Sequence, residues 1–139
     1  MRFRVLIASL VVLQALILAS AQGKTTLDGV YSEAQAARGE KVYAASCASC
    51  HGDDLSGGGQ TPPLAGKEFN SDWNDLSMGD LYERTHLSMP ADKPGSLTPE
   101  QTVDVIAYLL KKGSFPTSPT DLPTDTAALK AIKFVSQKP

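Results

Sequence analysis

Both cysteines of this chain and one of its two histidines fall within five consecutive positions, Cys47-Ala48-Ser49-Cys50-His51. Thiols and an imidazole at this density serve as metal ligands, redox nucleophiles or points of covalent attachment, and spacing separates these chemistries. A structural zinc site wants four ligands in paired halves, C-x₂₋₄-C with H-x₃₋₅-H. Here His51 abuts Cys50 and the other histidine, His86, stands alone, so zinc is not expected. A thioredoxin-like dithiol opens a helix after a strand, whereas this motif ends a helical pattern and enters a glycine-rich loop. A disulfide would leave His51 without a role and close a loop too short to restrict the unfolded chain much. The reading that uses every position is C-x-x-C-H as a c-type haem attachment site. Cys47 and Cys50 would then add to the two haem vinyl groups as thioethers, and His51 would turn its imidazole onto the iron.

Iron held by His51 alone leaves a position open, whereas a His/Met pair fills both axial sites and raises the reduction potential. Of the three methionines, Met1 belongs to an apparent leader, and Met78 sits at a helix start and reads as a packing residue. Met89 lies in "HLSMPADKPG", between a short helix and a proline-rich loop suited to a rigid lid, and is the expected distal ligand. His86, three residues earlier, is expected to be an ordinary surface histidine facing solvent.

The chain opens with basic "MRFR" and an apolar run over residues 5–19, followed by Ala19 and Ala21 in the A-x-A pattern of a signal-peptidase site. A membrane-spanning helix needs about 20 apolar residues, so this run is short for one. Residues 1–21 are expected to be a signal peptide cleaved after Ala21, with a retained anchor as the alternative. The product would be periplasmic or otherwise exported, the compartment in which haem thioethers are assembled. Losing Arg2 and Arg4 takes the formal charge from −2 to −4, which argues against a nucleic-acid partner. Asp53, Asp54, Asp72 and Asp75 could suit a basic partner but read first as a solvated face. At this size a single core is marginal, and a buried cofactor would supply missing apolar contacts.

The elements that must position these residues read as all-α, with no run of period-two alternation. Residues 22–31 form a polar lead-in. A helix starts at Ser32, with Gln35 completing a capping box, and sets Ala36, Gly39 and Tyr43 on one face. A glycine- and proline-rich loop follows Cys50. A short helix over residues 78–87 is capped by Ser77 with Asp80 three places on. The best-marked helix has Thr98 as N-cap, Pro99 at N1, Lys111 and Lys112 in its last turn, Gly113 at C′ and a stripe of Val103, Ile106, Ala107 and Leu110. A last short helix is expected over roughly residues 125–132, capped by Thr124. The organisation is thus a haem domain over residues 32–113 and a proline-punctuated extension over residues 114–139.

With Met89 added, the chain resembles the class I monohaem cytochromes c, and among them bacterial haem-c domains or subunits of terminal oxidases and quinoprotein dehydrogenases. The likeness runs from residue 28 to 135 through "DGVYSEAQAARGEKVYAASCASCHG", "PPLAGKEF", "DWNDLSMGDLYERTHLSMPADKPGSL" and "DVIAYLL". It implies a small cytochrome c fold, three core helices and long loops around one covalently bound haem, with first and last helices crossing. It makes Cys47 and Cys50 the thioether sites and His51 and Met89 the axial ligands. It pairs Gly39 and Tyr43 with Tyr108 at the crossing, and gives a backbone carbonyl of the 62–66 loop to the His51 Nδ1–H. Leu64 would pack on the haem face. Trp73 either donates its indole N–H to a haem propionate or packs in the core. The implied function is single-electron transfer between redox proteins such as a dehydrogenase, an oxidase or a respiratory complex, with no catalysis of its own. So short a chain favours a free carrier over a bound subunit; an open-iron enzyme such as a peroxidase is the remaining alternative.

Overall fold

The computed structural model describes residues 23–136, so the signal segment and its cleavage site lie outside the described residues. Within them the chain forms α1 (Glu33–Ser46), α2 (Ala48–His51), α3 (Gly66–Trp73), α4 (Met78–Ser88), α5 (Pro99–Lys112) and α6 (Thr126–Lys130), preceded by a 3₁₀ turn at Thr26–Asp28. The only β-type pairings among the described residues are isolated bridges, and the all-α expectation holds. No described helix is long and apolar enough to cross a membrane.

The crossing of α1 and α5 is the principal packing contact. At Gly39 a Cβ would fall 1.8 Å from the Asp104 carbonyl oxygen and 3.0 Å from the Tyr108 Cβ, so only a hydrogen lets the two backbones meet. One turn on, Tyr43 packs on Tyr108 with ring centroids 5.3 Å apart. Beside the crossing, Arg38 grips the Asp104 carboxylate with Nε at 2.9 Å and Nη2 at 3.0 Å. The Asp104 side chain is largely buried, and this two-pronged pairing is what makes its burial tolerable. Every residue of α5 from 102 to 110 is buried, well beyond the four-residue stripe read from the sequence.

Local signals placed most helix ends, with instructive exceptions. α4 and α5 start with complete capping boxes, Ser77 with Asp80 and Thr98 with Gln101. At α1 the Ser32 hydroxyl accepts the Gln35 N–H at 3.0 Å, but the Gln35 side chain does not reach back as expected. Its amide instead pairs both ways with the Leu122 backbone, Nε2 to the carbonyl at 3.0 Å and Oε1 from the N–H at 2.7 Å. α5 ends one residue later than its glycine suggests. Gly113 is not left-handed (φ −78); the left-handed residue is Ser114 (φ 60). The Ser114 N–H reaches the Lys111 carbonyl and the Phe115 N–H the Leu110 carbonyl, both at 3.0 Å, the paired bonds of a Schellman stop. A Cβ on Gly113 would meet the Phe115 ring at 2.9 Å, so that glycine supplies room, not left-handed backbone. The N-cap of α6 is Asp125, which accepts the Ala128 N–H at 2.8 Å, in place of Thr124. α3 was not expected: no side chain caps it, it starts on a glycine, and Asn, Ser and Asp in its middle are weak helix formers.

The extension closes the core instead of trailing from it. Phe115, Leu122, Leu129, Ile132 and Phe134 are all buried, and Met78 N–H donates to the Ile132 carbonyl at 2.8 Å. The lead-in is polar in composition but also buries Thr26, Val30 and Tyr31. Tyr31 donates its hydroxyl to the Phe115 carbonyl at 2.8 Å. The Thr26 hydroxyl pairs both ways with the Val135 backbone at 2.8 and 3.0 Å. Where α4 passes α6, a Cβ on Gly79 would strike the Lys130 side chain.

Gly39→Val should cost about 3 kcal/mol of unfolding free energy, because backbone faces it and no rotamer relieves the overlap. Gln35→Leu should cost about 2 kcal/mol by stripping two buried backbone groups of their partner; chemical denaturation measures both. The Asp121 carboxyl is held below its usual range, first by the Ser32 hydroxyl and then by Arg38. A depressed acid adds stability above about pH 4 that is lost as pH falls through its lowered value. Asp121→Asn should therefore make the acid limb of a stability–pH curve shallower while leaving its alkaline limb unchanged.

Candidate cofactor site

Cys47 is the joint between two helices. It ends α1, donating its N–H to the Tyr43 carbonyl at 2.8 Å, with φ −126 and ψ −37. The chain then makes the single turn α2, its carbonyl accepting from the Cys50 and His51 N–H groups at 3.1 and 2.9 Å. Gly52 (φ 78) stops that turn. The break at Cys47 and the immediate restart hold both thiols and the imidazole on one short, backbone-bonded turn. The two cysteines are not joined to one another; Cys50 is exposed and Cys47 half-buried. Burial, aided by the neighbouring Cys50, pushes the Cys47 thiol up to about 11. A dithiol exchanger needs the reverse, a thiol depressed toward neutrality.

His51 is 7% exposed, and its Nδ1 lies 3.0 Å from the Pro62 carbonyl oxygen. A carbonyl can only accept, so Nδ1 carries the proton and Nε2 keeps its lone pair for a metal. Of the carbonyls in the 62–66 loop, the first is thus the one that meets His51. The glycine-rich loop puts it there. Gly57 N–H bonds the His51 carbonyl at 2.9 Å, Gly58 and Thr61 exchange backbone bonds at 3.0 and 2.9 Å, and Leu64 N–H reaches the Leu55 carbonyl at 2.9 Å. Gly57 has φ 68, and a Cβ there would lie 2.3 Å from the Thr61 carbonyl, so no other residue fits that fold-back.

The helix crossing reaches the motif through Tyr43, whose hydroxyl donates to the Gly52 carbonyl at 2.6 Å. Burial, more than its acidic neighbours, pushes that hydroxyl up to about 12, so it remains a donor at any physiological pH. Val42, Cys47, Ala48, Leu64, Ala65 and Trp73 are partly covered and pack on the core. They come from α1, α2, the 62–66 loop and α3. Trp73 sits 6.2 Å from Phe69, ring to ring. One turn before it, the Oδ1 of Asn70 is buried with no partner among the described residues. Met78 is fully buried in the core, as a packing residue should be. Met89 is half-buried at the end of α4, its N–H on the Thr85 carbonyl at 3.0 Å. Asp53, Asp54, Asp72 and Asp75 are all exposed.

His86 is where the expectation fails. It is half-buried, not turned to solvent. Its Nδ1 lies 3.1 Å from the Thr102 hydroxyl, and its ring stacks on Tyr82 at 5.3 Å and 13°. The packing of α4 on α5 draws it inward.

A haem fits this donor set: two thiols at the required spacing and a buried imidazole with Nε2 uncommitted, with partly covered apolar side chains from α1, α2 and the 62–66 loop. An all-α fold built round such a turn is that of a class I cytochrome c, and comparison with known proteins agrees. Residues 34–109 match the family described as cytochrome c oxidase, cbb3-type, subunit III. The chain is 35% identical over 81 residues to cytochrome c6 of Anabaena variabilis, covering 57% of this chain and 93% of that protein. It is 39% identical over 79 residues to the thiosulfate dehydrogenase of Stutzerimonas stutzeri (strain A1501), covering 52% of this chain but only 26% of that protein. A solved structure, the sulfane dehydrogenase SoxCD from Paracoccus pantotrophus, shares 28% identity and a TM-score of 0.47 over 57% of this chain and 43% of that chain. The chain belongs to the cbb3-type cytochrome c oxidase subunit III family of c-type cytochromes, electron carriers whose cofactor is haem c.

Tyr43→Phe deletes the hydroxyl that ties α1 to the end of the motif. The Gly52 carbonyl keeps the Leu55 N–H at 3.2 Å, so the loss should be about 1 kcal/mol and no more. Thermal unfolding of the variant checks this.

Proposed function

We propose that the chain is an exported single-haem electron carrier. Cys47 and Cys50 hold one haem by thioethers, His51 and Met89 are its axial ligands, and residues 1–21 are a signal peptide cleaved after Ala21. The observation that carries this reading is the His51 Nδ1 bond to Pro62 within a C-x-x-C-H turn, which orients Nε2 as a ligand and fixes its tautomer. A haem bound there supplies a one-electron couple; the chain supplies ligands, a water-poor pocket and a docking face. The half-buried Leu64 and Trp73 cover the ring, and the Trp73 indole N–H serves a propionate. With both axial positions filled by side chains, the chain has no open site for a substrate and is a carrier, not an enzyme. Its partners are redox proteins; neither zinc nor nucleic acid enters. The haem domain spans residues 32–113, and residues 114–139 extend it.

A second reading, a haem-c subunit bound permanently to a dehydrogenase or oxidase, draws support from two likenesses. The matching family is described as an oxidase subunit, and the chain spans about a quarter of a thiosulfate dehydrogenase. Size measurement of the native protein in host extract separates the two: a stable large complex rules out the free carrier.

An alkaline pyridine spectrum of denatured protein should show one haem that solvent extraction does not remove. A haem-free product from a host competent in cytochrome maturation would end the reading. In the oxidised protein a sulfur-to-iron charge-transfer band is expected. Met89→Ala should abolish it while the haem stays attached; if the band survives, Met89 is not the ligand.

A further inference from the structure

α4 ends at Ser88 with Met89 as its C-cap, and His86 lies in its last turn. The Thr102 hydroxyl has one proton, and it goes to the Thr98 carbonyl at 2.9 Å. Toward His86 the hydroxyl can therefore only accept, so the 3.1 Å contact is a bond donated by the His86 Nδ1–H. Thr102 is fully buried, on the helix that is itself buried from residue 102 to 110. The His86 ring is thus gripped at its edge by a fixed hydroxyl and on its face by Tyr82, itself buried. The α5 helix that offers this hydroxyl also meets α1 at Gly39, and Tyr43 of α1 holds the Gly52 carbonyl beside His51. One continuous set of contacts therefore runs from the end of α4 to the proximal motif.

We infer that His86 is a positioning residue, a latch that holds the last turn of α4 on α5 and so keeps Met89 at the iron. The inference rests on the proposed ligation by Met89. His86 does not bind the iron in this scheme; it acts through its bond to Thr102. Breaking that bond removes a side-chain tie between the last turn of α4 and α5 and increases the fraction of time the Met89 arm is displaced. An external ligand competes for the iron in proportion to that fraction.

The experiment uses ferric holoprotein and added imidazole as the competing ligand, with the sulfur-to-iron charge-transfer band as readout. His86→Phe keeps the stack on Tyr82 and loses the donor. Thr102→Val keeps the shape and loses the acceptor. Without imidazole, both variants should keep the band. With it, both should bind imidazole about fivefold more tightly than the unsubstituted protein, the equivalent of one neutral hydrogen bond. The double variant should bind imidazole no more tightly than either single one, because both break the same bond. Gln35→Leu, which loosens a different contact, should leave imidazole affinity unchanged. Unaltered affinity in both single variants, or an equal rise in Gln35→Leu, overturns the latch while Met89 ligation stands. A missing band in the unsubstituted protein overturns the ligation and the latch together.

Discussion

Two backbones touching with no side chain between them set the geometry of this molecule. Where α1 meets α5, Gly39 lies against the Asp104 carbonyl, and any Cβ would overlap it. Contacts between side chains can be retuned by a change of rotamer, but contact between backbones cannot. The separation of the two helices is therefore fixed at one point, and other features are measured from it. Tyr43 packs on Tyr108 one turn along and reaches the Gly52 carbonyl. Arg38 and Asp104 pair beside the crossing, and Asp121 joins them from the extension.

His51 and Met89, the two iron ligands proposed above, are held by different means. His51 stands on a turn whose backbone groups are bonded to Cys47, Ala48 and Gly57, and its ring is bonded to another backbone carbonyl. Such an arrangement is rigid because none of its partners has a rotamer to change. Met89 follows a helix whose last turn is secured through side chains, His86 on Thr102 and on Tyr82. In the proposed ligation the Met89 thioether would also be the weaker of the two donors to iron, so mobility would belong to its arm and constancy to the His51 turn.

What could be read from the sequence was mostly what local chemistry decides. The C-x-x-C-H turn and the caps at Ser77 and Thr98 carry their meaning within a few residues, whereas the glycine at the crossing was legible through the resemblance alone. Tertiary competition hid the rest. Gln35 had the right spacing to close a capping box, but the Leu122 backbone offered its amide two bonds in place of one. Gly113 looked like a left-handed stop, yet the Phe115 ring needed its missing side chain, and Ser114 took the left-handed turn. His86 looked like a surface residue because its partner lies sixteen positions away on another helix. α3 lacks a capping side chain; Phe69 and Trp73, four residues apart, were its one legible signal. The choice of the Pro62 carbonyl depended on how three glycines fold the loop, which no spacing rule encodes.

The Thr26 hydroxyl and the Val135 backbone bind one another although 109 positions separate them, so the described chain closes nearly into a ring. Helical proteins usually fold fast because their contacts are local. Here each helix can form early, but the Thr26–Val135 bonds form only when both ends arrive together, and closing so long a loop carries an entropic cost. The folding rate should therefore follow this late junction more than helix formation. The same proximity makes the molecule suited to circular permutation, with new ends opened in an exposed loop far from the junction.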